Sequence, residues 1–156
     1  MTLTPDDHAL LRRAVALAAE AREAGDPPFG SLLAGPGGTV LAEERNTTLT
    51  GRDITAHPEL KLARWAAREL DADTAARTTL YTSCEPCSMC GPVIRLAGLG
   101  RVVFALSGEQ LLEIRPASGR PPVPQEGPAL AQEVRAVVEP YYRPAPGDRA
   151  RATARS

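Results

Sequence analysis

The sequence is short of several features that mark particular classes of protein. Aromatic residues make up only 4% of its 156 residues, which disfavours the stacking surfaces of single-stranded nucleic acid binders. No apolar run approaches the roughly 20 residues that a membrane-spanning helix needs. The first seven residues contain two acids and no basic residue ahead of an apolar stretch, so a secretory leader is not expected. These absences predict a globular cytoplasmic protein that does not enter the membrane.

No single sign of charge dominates either. The 18 basic and 19 acidic side chains give a formal net charge of −1. A protein that binds nucleic acid over a broad surface usually carries a strong positive excess. The balance therefore favours a small-molecule partner, and nucleic acid is not the expected one.

Cysteine is scarce, and its three copies are clustered. Cys84, Cys87 and Cys90 lie within seven residues of one another. An odd, tightly spaced set does not form a disulfide framework. It predicts a metal or redox site in a reducing compartment.

The apolar pattern predicts a layered α/β domain. A helix begins after Thr4 and ends at Ala24-Gly25, and two strands follow around a turn rich in glycine. Helices and strands then alternate, which is typical of α/β architecture. The predicted strands are 29–34, 39–46, 78–83 and 101–106, and the predicted later helices are 58–70, 86–97 and 129–138. We expect one domain over residues 1–142 and a flexible tail over 143–156.

A histidine and a glutamate flank a proline at one predicted helix start. His57 lies near the N-cap and Pro58 at the first helical position, where the missing N–H has no intrahelical partner to lose. Glu59 follows in the first turn. Taken alone, an acid there also fits ordinary compensation of the helix dipole.

The second motif is Pro86-Cys87-Ser88-Met89-Cys90, where a predicted strand gives way to a helix. Cys87 and Cys90 are three residues apart, so we expect both on one face of the first helical turn. Together with His57 they offer three ligands to a zinc ion, which leaves a fourth position for water. Glu59 is then the candidate catalytic acid and base.

These two motifs are similar to the His-x-Glu and Pro-Cys-x-x-Cys signature of zinc deaminases, in which the glutamate is not a ligand. The stretch 80–90 (LYTSCEPCSMC) resembles the bacterial guanine deaminases of the cytidine deaminase-like superfamily, as do the segments 28–31, 55–57 and 100–104. The resemblance implies a three-layer α/β/α fold with a five-stranded mixed sheet. It also implies a homodimer.

The implied activity is a zinc-dependent hydrolytic deamination. The substrate would be a free nucleobase, a nucleoside or a related amino-heterocycle (guanine-like, cytosine-like or adenine-like), and ammonia would be released. The substrate contacts expected from the resemblance are Asn46, Phe29, Ala56 and Pro86. Pro58 stands where the family usually has alanine, and the region after Leu106 does not resemble the guanine deaminases. The preferred base therefore stays open.

Other interpretations remain at this stage. Cys84 would complete a closed structural zinc site as a fourth ligand, and the three cysteines also mimic part of an iron–sulfur motif, although such a cluster normally needs a fourth cysteine. The shared motifs and the arginines of the tail fit a tRNA-specific adenosine deaminase. A zinc-stabilised interaction module without catalysis is the remaining alternative.

Overall fold

The computed structural model describes residues 2–115 and 121–143. The chain forms two compact units that divide after residue 117. The first unit contains a mixed sheet and five helices, which follow in the order α1 Pro5–Glu23, β1 Gly30–Ala34, β2 Val40–Arg45, α2 Pro58–Glu69, α3 Ala72–Ala76, β3 Thr79–Cys84, α4 Cys90–Leu96, β4 Arg101–Leu106 and α5 Gly108–Ile114. In the second unit the described helix is α6, Ala131–Tyr142.

The sheet has the strand order β2-β1-β3-β4. Strand β1 pairs antiparallel with both β2 and β3, whereas β3 and β4 are parallel and are connected through α4. The expected fifth strand was wrong for the described residues. After β4 the chain forms α5, and residues 121–129 include four prolines, which cannot donate to a strand ladder.

Helices cover both faces of this sheet. On one face α1 packs with Leu11 and Leu17 against residues of β1, β3 and β4, among them Leu32, Tyr81 and Val103. On the other face α2 and α4 surround the leucines that β1 and β3 direct to that side, in a cluster of Leu33, Leu60, Leu62, Ala63, Ala66, Leu80, Cys90 and Ile94. Strand β1 is buried along its whole length because both of its faces are covered. The predicted three-layer α/β/α architecture is confirmed.

Helix α1 begins where the sequence predicts. Thr4 is the N-cap, and its hydroxyl accepts from the Asp7 backbone N–H, while the Asp7 carboxylate accepts from the Thr4 backbone. The helix then passes close to the start of β1. A side chain at Gly30 would approach the Ala14 carbonyl oxygen to 2.5 Å, so this contact between helix and strand requires glycine.

Asp7 also connects α1 to the sheet. Its buried carboxylate accepts hydrogen bonds from the Tyr81 hydroxyl at 2.6 Å and from the Arg101 guanidinium at 2.8 Å. The hydrogen bond from Arg101, followed by that from Tyr81, holds the pKa of Asp7 well below its usual range. Burial and the hydrogen bond to Asp7 in turn raise the pKa of Tyr81 to about 12. Three separate elements therefore meet at one carboxylate.

We expect Asp7→Asn to lower the free energy of unfolding by about 1–3 kcal/mol at pH 7, because it weakens a charge-assisted hydrogen-bond network. A carboxyl group whose pKa is depressed by folding stabilises the native state above its unfolded pKa of about 4, and this contribution is lost as the pH falls toward the folded value. Denaturant melts between pH 7 and pH 2 should show that the free energy of unfolding falls less with decreasing pH in the variant than in the wild type. The matched control is Asp6→Asn at the neighbouring exposed position, and equal acid profiles for the two variants would contradict the prediction.

Two helices have other bounds than the sequence predicts, and two short helices are additional. The helix expected over 129–138 spans Ala131–Tyr142. The helix expected from residue 86 begins at Cys90, because residues 85–89 form a turn first. Pro92 therefore lies in the first turn of α4, where it removes no intrahelical hydrogen bond. The short helices α3 and α5 were not predicted, since five and seven residues are too few for a clear apolar period.

None of the helices within the described ranges combines the length and apolar character that crossing a bilayer requires. The domain limits 1–142 stay a prediction. Of the predicted tail, only Arg143 is described, and residues 144–156 lie outside the described residues.

Candidate active site

The start of α2 carries the first pair of candidate residues. His57 is the N-cap with an extended backbone, and Pro58 opens the helix as predicted. The His57 side chain makes no capping hydrogen bond, so its imidazole is available to bind another group. Glu59 follows at the second helical position and is only 5% exposed. The helix start thus directs a histidine and a buried carboxylate toward the same region.

The turn after β3 carries the second pair. Cys87 lies in this turn and Cys90 is the first residue of α4, so the expectation that both share a helical turn was wrong. The backbone N–H groups of Cys90 and Gly91 both donate to the Cys87 carbonyl oxygen at 3.0 Å. This tight turn brings the two sulfur atoms to 3.5 Å, although Cys87 is not helical.

His57, Cys87 and Cys90 form one compact donor group. The His57 Nδ1 atom lies 3.9 Å from the Cys87 Sγ and 3.6 Å from the Cys90 Sγ, and all three ligand atoms lie within 4.8 Å of one another. Tetrahedral zinc, with Zn–S near 2.3 Å and Zn–N near 2.0–2.1 Å, places its ligand atoms about 3.5–3.8 Å apart. The spacing and the donor types therefore both fit a zinc ion.

The environment of Cys90 also favours a cation. Burial, followed by the charge of the nearby Glu59, raises the pKa of its thiol. A thiolate at this position therefore needs a positive partner, which a divalent ion supplies. Cys84 is a free, buried cysteine and is not part of the donor group. The three-ligand arrangement agrees with an open zinc site more than with a closed site of four protein ligands.

Glu59 stands directly beside this donor group. Its Oε2 atom lies 3.9 Å from the Cys90 Sγ, and its Oε1 atom accepts a hydrogen bond from the Thr82 hydroxyl at 3.3 Å. Burial raises the pKa of the Glu59 carboxyl group, and a backbone hydrogen bond at Glu59, the nearby His57 and the Thr82 hydroxyl oppose this in part. A carboxyl group that protonates more readily than usual is suited to receive and return a proton.

A pocket opens over these groups. Its lining combines the His57 and Glu59 side chains and Cys87 with apolar walls from Phe29, ahead of β1, and Leu111, on α5. The other lining residues are Cys84, Glu85 and Arg115. Sequence reasoning missed Leu111 and Arg115 as pocket residues, because α5 carried no recognisable signal. It also missed Glu85, which directly follows β3.

Glu85 fixes α5 at the pocket. Its carboxylate accepts from the Gly108 backbone N–H at 2.7 Å, and its own backbone N–H donates to the Leu106 carbonyl at 2.8 Å. A capping box between Ser107 and Gln110 supports the same helix start. The pocket wall is therefore connected directly to the turn that carries the cysteines.

Only one of the four predicted substrate contacts lines the pocket. Phe29 lines the pocket, whereas Asn46, Ala56 and Pro86 are not among its lining residues. The Asn46 backbone N–H donates to the Phe29 carbonyl, and its side-chain oxygen accepts from Thr48, so this oxygen is already engaged. Ala56 is buried immediately before His57, and Pro86 is half-buried immediately before Cys87.

Residues 4–106 match the family described as the cytidine and deoxycytidylate deaminase zinc-binding region. A probable cytosine deaminase of Schizosaccharomyces pombe is 35% identical over 123 residues, which cover 77% of this chain and 72% of that protein. A tRNA-specific adenosine deaminase of Haemophilus influenzae is 32% identical over 101 residues, which cover 65% of this chain and 58% of that protein.

The guanine deaminase of Bacillus subtilis is similar in both sequence and structure. It is 44% identical over 96 residues, which cover 61% of each protein. Its crystal structure superposes with a TM-score of 0.73 at 32% identity and covers 89% of this chain and 95% of that one. The matches confirm the predicted zinc-binding domain and deaminase class. The chain therefore belongs to the cytidine and deoxycytidylate deaminase family of zinc-dependent enzymes.

Proposed function

We propose that this protein removes an exocyclic amine, as ammonia, from a free nucleobase, a nucleoside or a related small amino-heterocycle. The observation that carries the proposal is the convergence of His57, Cys87 and Cys90 with the Glu59 carboxylate beside one pocket, which His57, Glu59 and Cys87 line. Two segments 30 residues apart along the chain supply these groups. A purely structural metal site does not need a buried carboxylate that binds no metal.

In the proposed site, His57, Cys87 and Cys90 hold the zinc ion. When bound, zinc lowers the pKa of a water molecule and so supplies a nucleophile near neutral pH. Glu59 accepts a proton from the attacking water and transfers protons to the ring nitrogen and to the departing amine, so that both hydrogens of the water are accounted for. In the net reaction a C–O bond forms at the ring carbon, its C–N bond breaks and ammonia leaves, so no oxidant or reductant is required.

The residue types of the pocket lining are those expected for a flat, mostly apolar ring with polar edges. Phe29 and Leu111 offer the apolar surfaces, and Glu85 and Arg115 offer charged groups near the rim. We propose Phe29 as a wall of the substrate site. Asn46, Ala56 and Pro86 stay proposed contacts. For Asn46 the contact would be made by the side-chain amide nitrogen, because its oxygen is engaged by Thr48.

A tRNA-specific adenosine deaminase is the second candidate, and it is favoured by the Haemophilus influenzae relative. The net charge of −1 supports the small-molecule substrate instead, since phosphate contacts dominate the affinity of nucleic acid binders.

We further propose a cytoplasmic location and a homodimer, and sedimentation equilibrium tests the oligomeric state directly.

An ammonia-release screen with zinc-loaded protein tests the proposed function. We expect release from at least one member of a panel of guanine, cytosine, adenine, their nucleosides, pterins and aminotriazines. The Glu59→Gln variant with equal zinc content is the control for contaminating activity. Deamination confined to an adenosine in a tRNA anticodon stem-loop would favour the second candidate. No release from the panel or from tRNA would contradict the enzymatic assignment.

A further inference from the structure

Two buried hydroxyl groups interrupt the leucine core of the sheet beside Glu59. Ser31 on β1 and Thr82 on β3 are direct partners in the antiparallel register, and both side chains are fully buried. The neighbouring pair on the same face, Leu33 and Leu80, is apolar and belongs to the main core. The polar pair therefore lies on this face of the sheet at the position where Thr82 contacts the Glu59 carboxylate.

The hydrogen bonds form a directed series. The Ser31 hydroxyl lies 2.8 Å from the Thr82 Oγ1 atom, which lies 3.3 Å from the Glu59 Oε1 atom. An ionised carboxylate only accepts, so the Thr82 hydroxyl donates to Glu59 and is free to accept from Ser31. Each hydroxyl then has its partner, as buried polar groups require.

This series assigns different surroundings to the two carboxylate oxygens. The Oε1 atom is anchored to β3, and the Oε2 atom faces the Cys90 sulfur at 3.9 Å. A glutamate side chain has three rotatable bonds, and an unanchored carboxylate would visit several rotamers. The anchor leaves one oxygen directed at the donor group.

We infer that the Ser31–Thr82 hydroxyl pair is a positioning device that holds the Glu59 carboxylate in the orientation needed for proton transfer. This inference rests on the proposed function of Glu59. Thr82 acts on Glu59 directly, whereas Ser31 acts through Thr82 by fixing the direction of its hydroxyl. Neither residue lines the pocket and both are fully buried, so each is a positioning residue.

The test compares Thr82→Val, which keeps the shape and removes the hydroxyl, with Thr82→Ser, which keeps the hydroxyl. We expect Thr82→Val to lower kcat about 10- to 100-fold with KM changed less than about threefold, because misplaced catalytic groups slow chemistry more than binding. Thr82→Ser should restore kcat to within about threefold of the wild type, and Ser31→Ala should lower it by about 3- to 10-fold. The zinc content should stay unchanged in all three variants.

Thr78→Val is the matched control. Thr78 is equally buried, and its hydroxyl donates to the Thr74 carbonyl at 2.8 Å, away from the site. This variant should lose stability and retain kcat. If Thr82→Val retains kcat, or if Thr82→Ser is as impaired as Thr82→Val, the positioning role is wrong.

A crystal structure of zinc-loaded Thr82→Val gives a readout that does not depend on activity. We expect the Glu59 carboxylate to leave its position beside β3, and an unmoved carboxylate would overturn the inference. A wild-type protein that deaminates nothing would contradict the proposed function instead, and the crystal structure would still decide the orientation.

Discussion

Replacing Glu59 with glutamine should lower the deamination rate by about 10³-fold or more, since positioned acid–base groups typically contribute factors of 10²–10⁴. The amide keeps the size of the side chain and can still accept from Thr82, but it cannot take a proton from water. We expect the zinc content and the melting temperature to stay close to those of the wild type. On the same preparation, steady-state kinetics measure the rate, elemental analysis measures the zinc content and a thermal melt measures the melting temperature.

The control for this variant is Glu69→Gln, at the exposed C-terminal end of the same helix α2. It changes the charge by the same amount without altering the pocket, so turnover should be unaffected. Glu59→Gln with near wild-type turnover would remove Glu59 from the mechanism. Loss of zinc in Glu59→Gln would show instead that the carboxylate supports the metal centre.

Removing a proposed metal ligand should reduce the activity as strongly as Glu59→Gln does, but it should also remove the zinc. We expect Cys90→Ala to reduce zinc from about one ion per chain to a small fraction and to bring activity down to background, because two remaining ligands bind zinc weakly. Stability should fall as well, since metal binding energy contributes to folding. The start of α2 and the start of α4 would no longer be joined by the ion.

The Cys84→Ala variant distinguishes an open zinc site with three protein ligands from a closed site with four. Cys84 lies outside the donor group, so this variant should retain zinc. If Cys84→Ala loses zinc as completely as Cys90→Ala, the site has four protein ligands. That result would support the structural-site interpretation and contradict the proposed chemistry. Elemental analysis after dialysis and thermal melts with and without chelator provide the measurements.

The two halves of the donor group could be predicted from local sequence patterns, and the similarity to the zinc deaminase signature supported their pairing. Proline after His57 signals a helix start, and a histidine there lies at a known position relative to Glu59. The spacing of Cys87 and Cys90 is compatible with metal binding in a turn as well as in a helix, so the ligand pair was found although its backbone was assigned incorrectly. The layered architecture followed from the alternation of apolar helices and strands.

What the sequence could not give depends on long-range pairing. Ser31 and Thr82 are 51 residues apart, and only the strand register shows that they face each other. Leu111 reaches the pocket because Glu85 holds the start of α5, a contact with no signature in the sequence. The expected fifth strand failed for a related reason: it was taken from the resemblance, in the part of the chain where the resemblance ends.

The weak attachment of α5 has an evolutionary consequence. None of its residues is buried, yet it supplies part of the pocket wall, and its start is held by the Glu85 carboxylate and by its own capping box. Substitutions along this helix should therefore cost little folding stability and would leave the metal-binding residues untouched. Such a division lets a lineage exchange one heterocycle for another without rebuilding its chemistry.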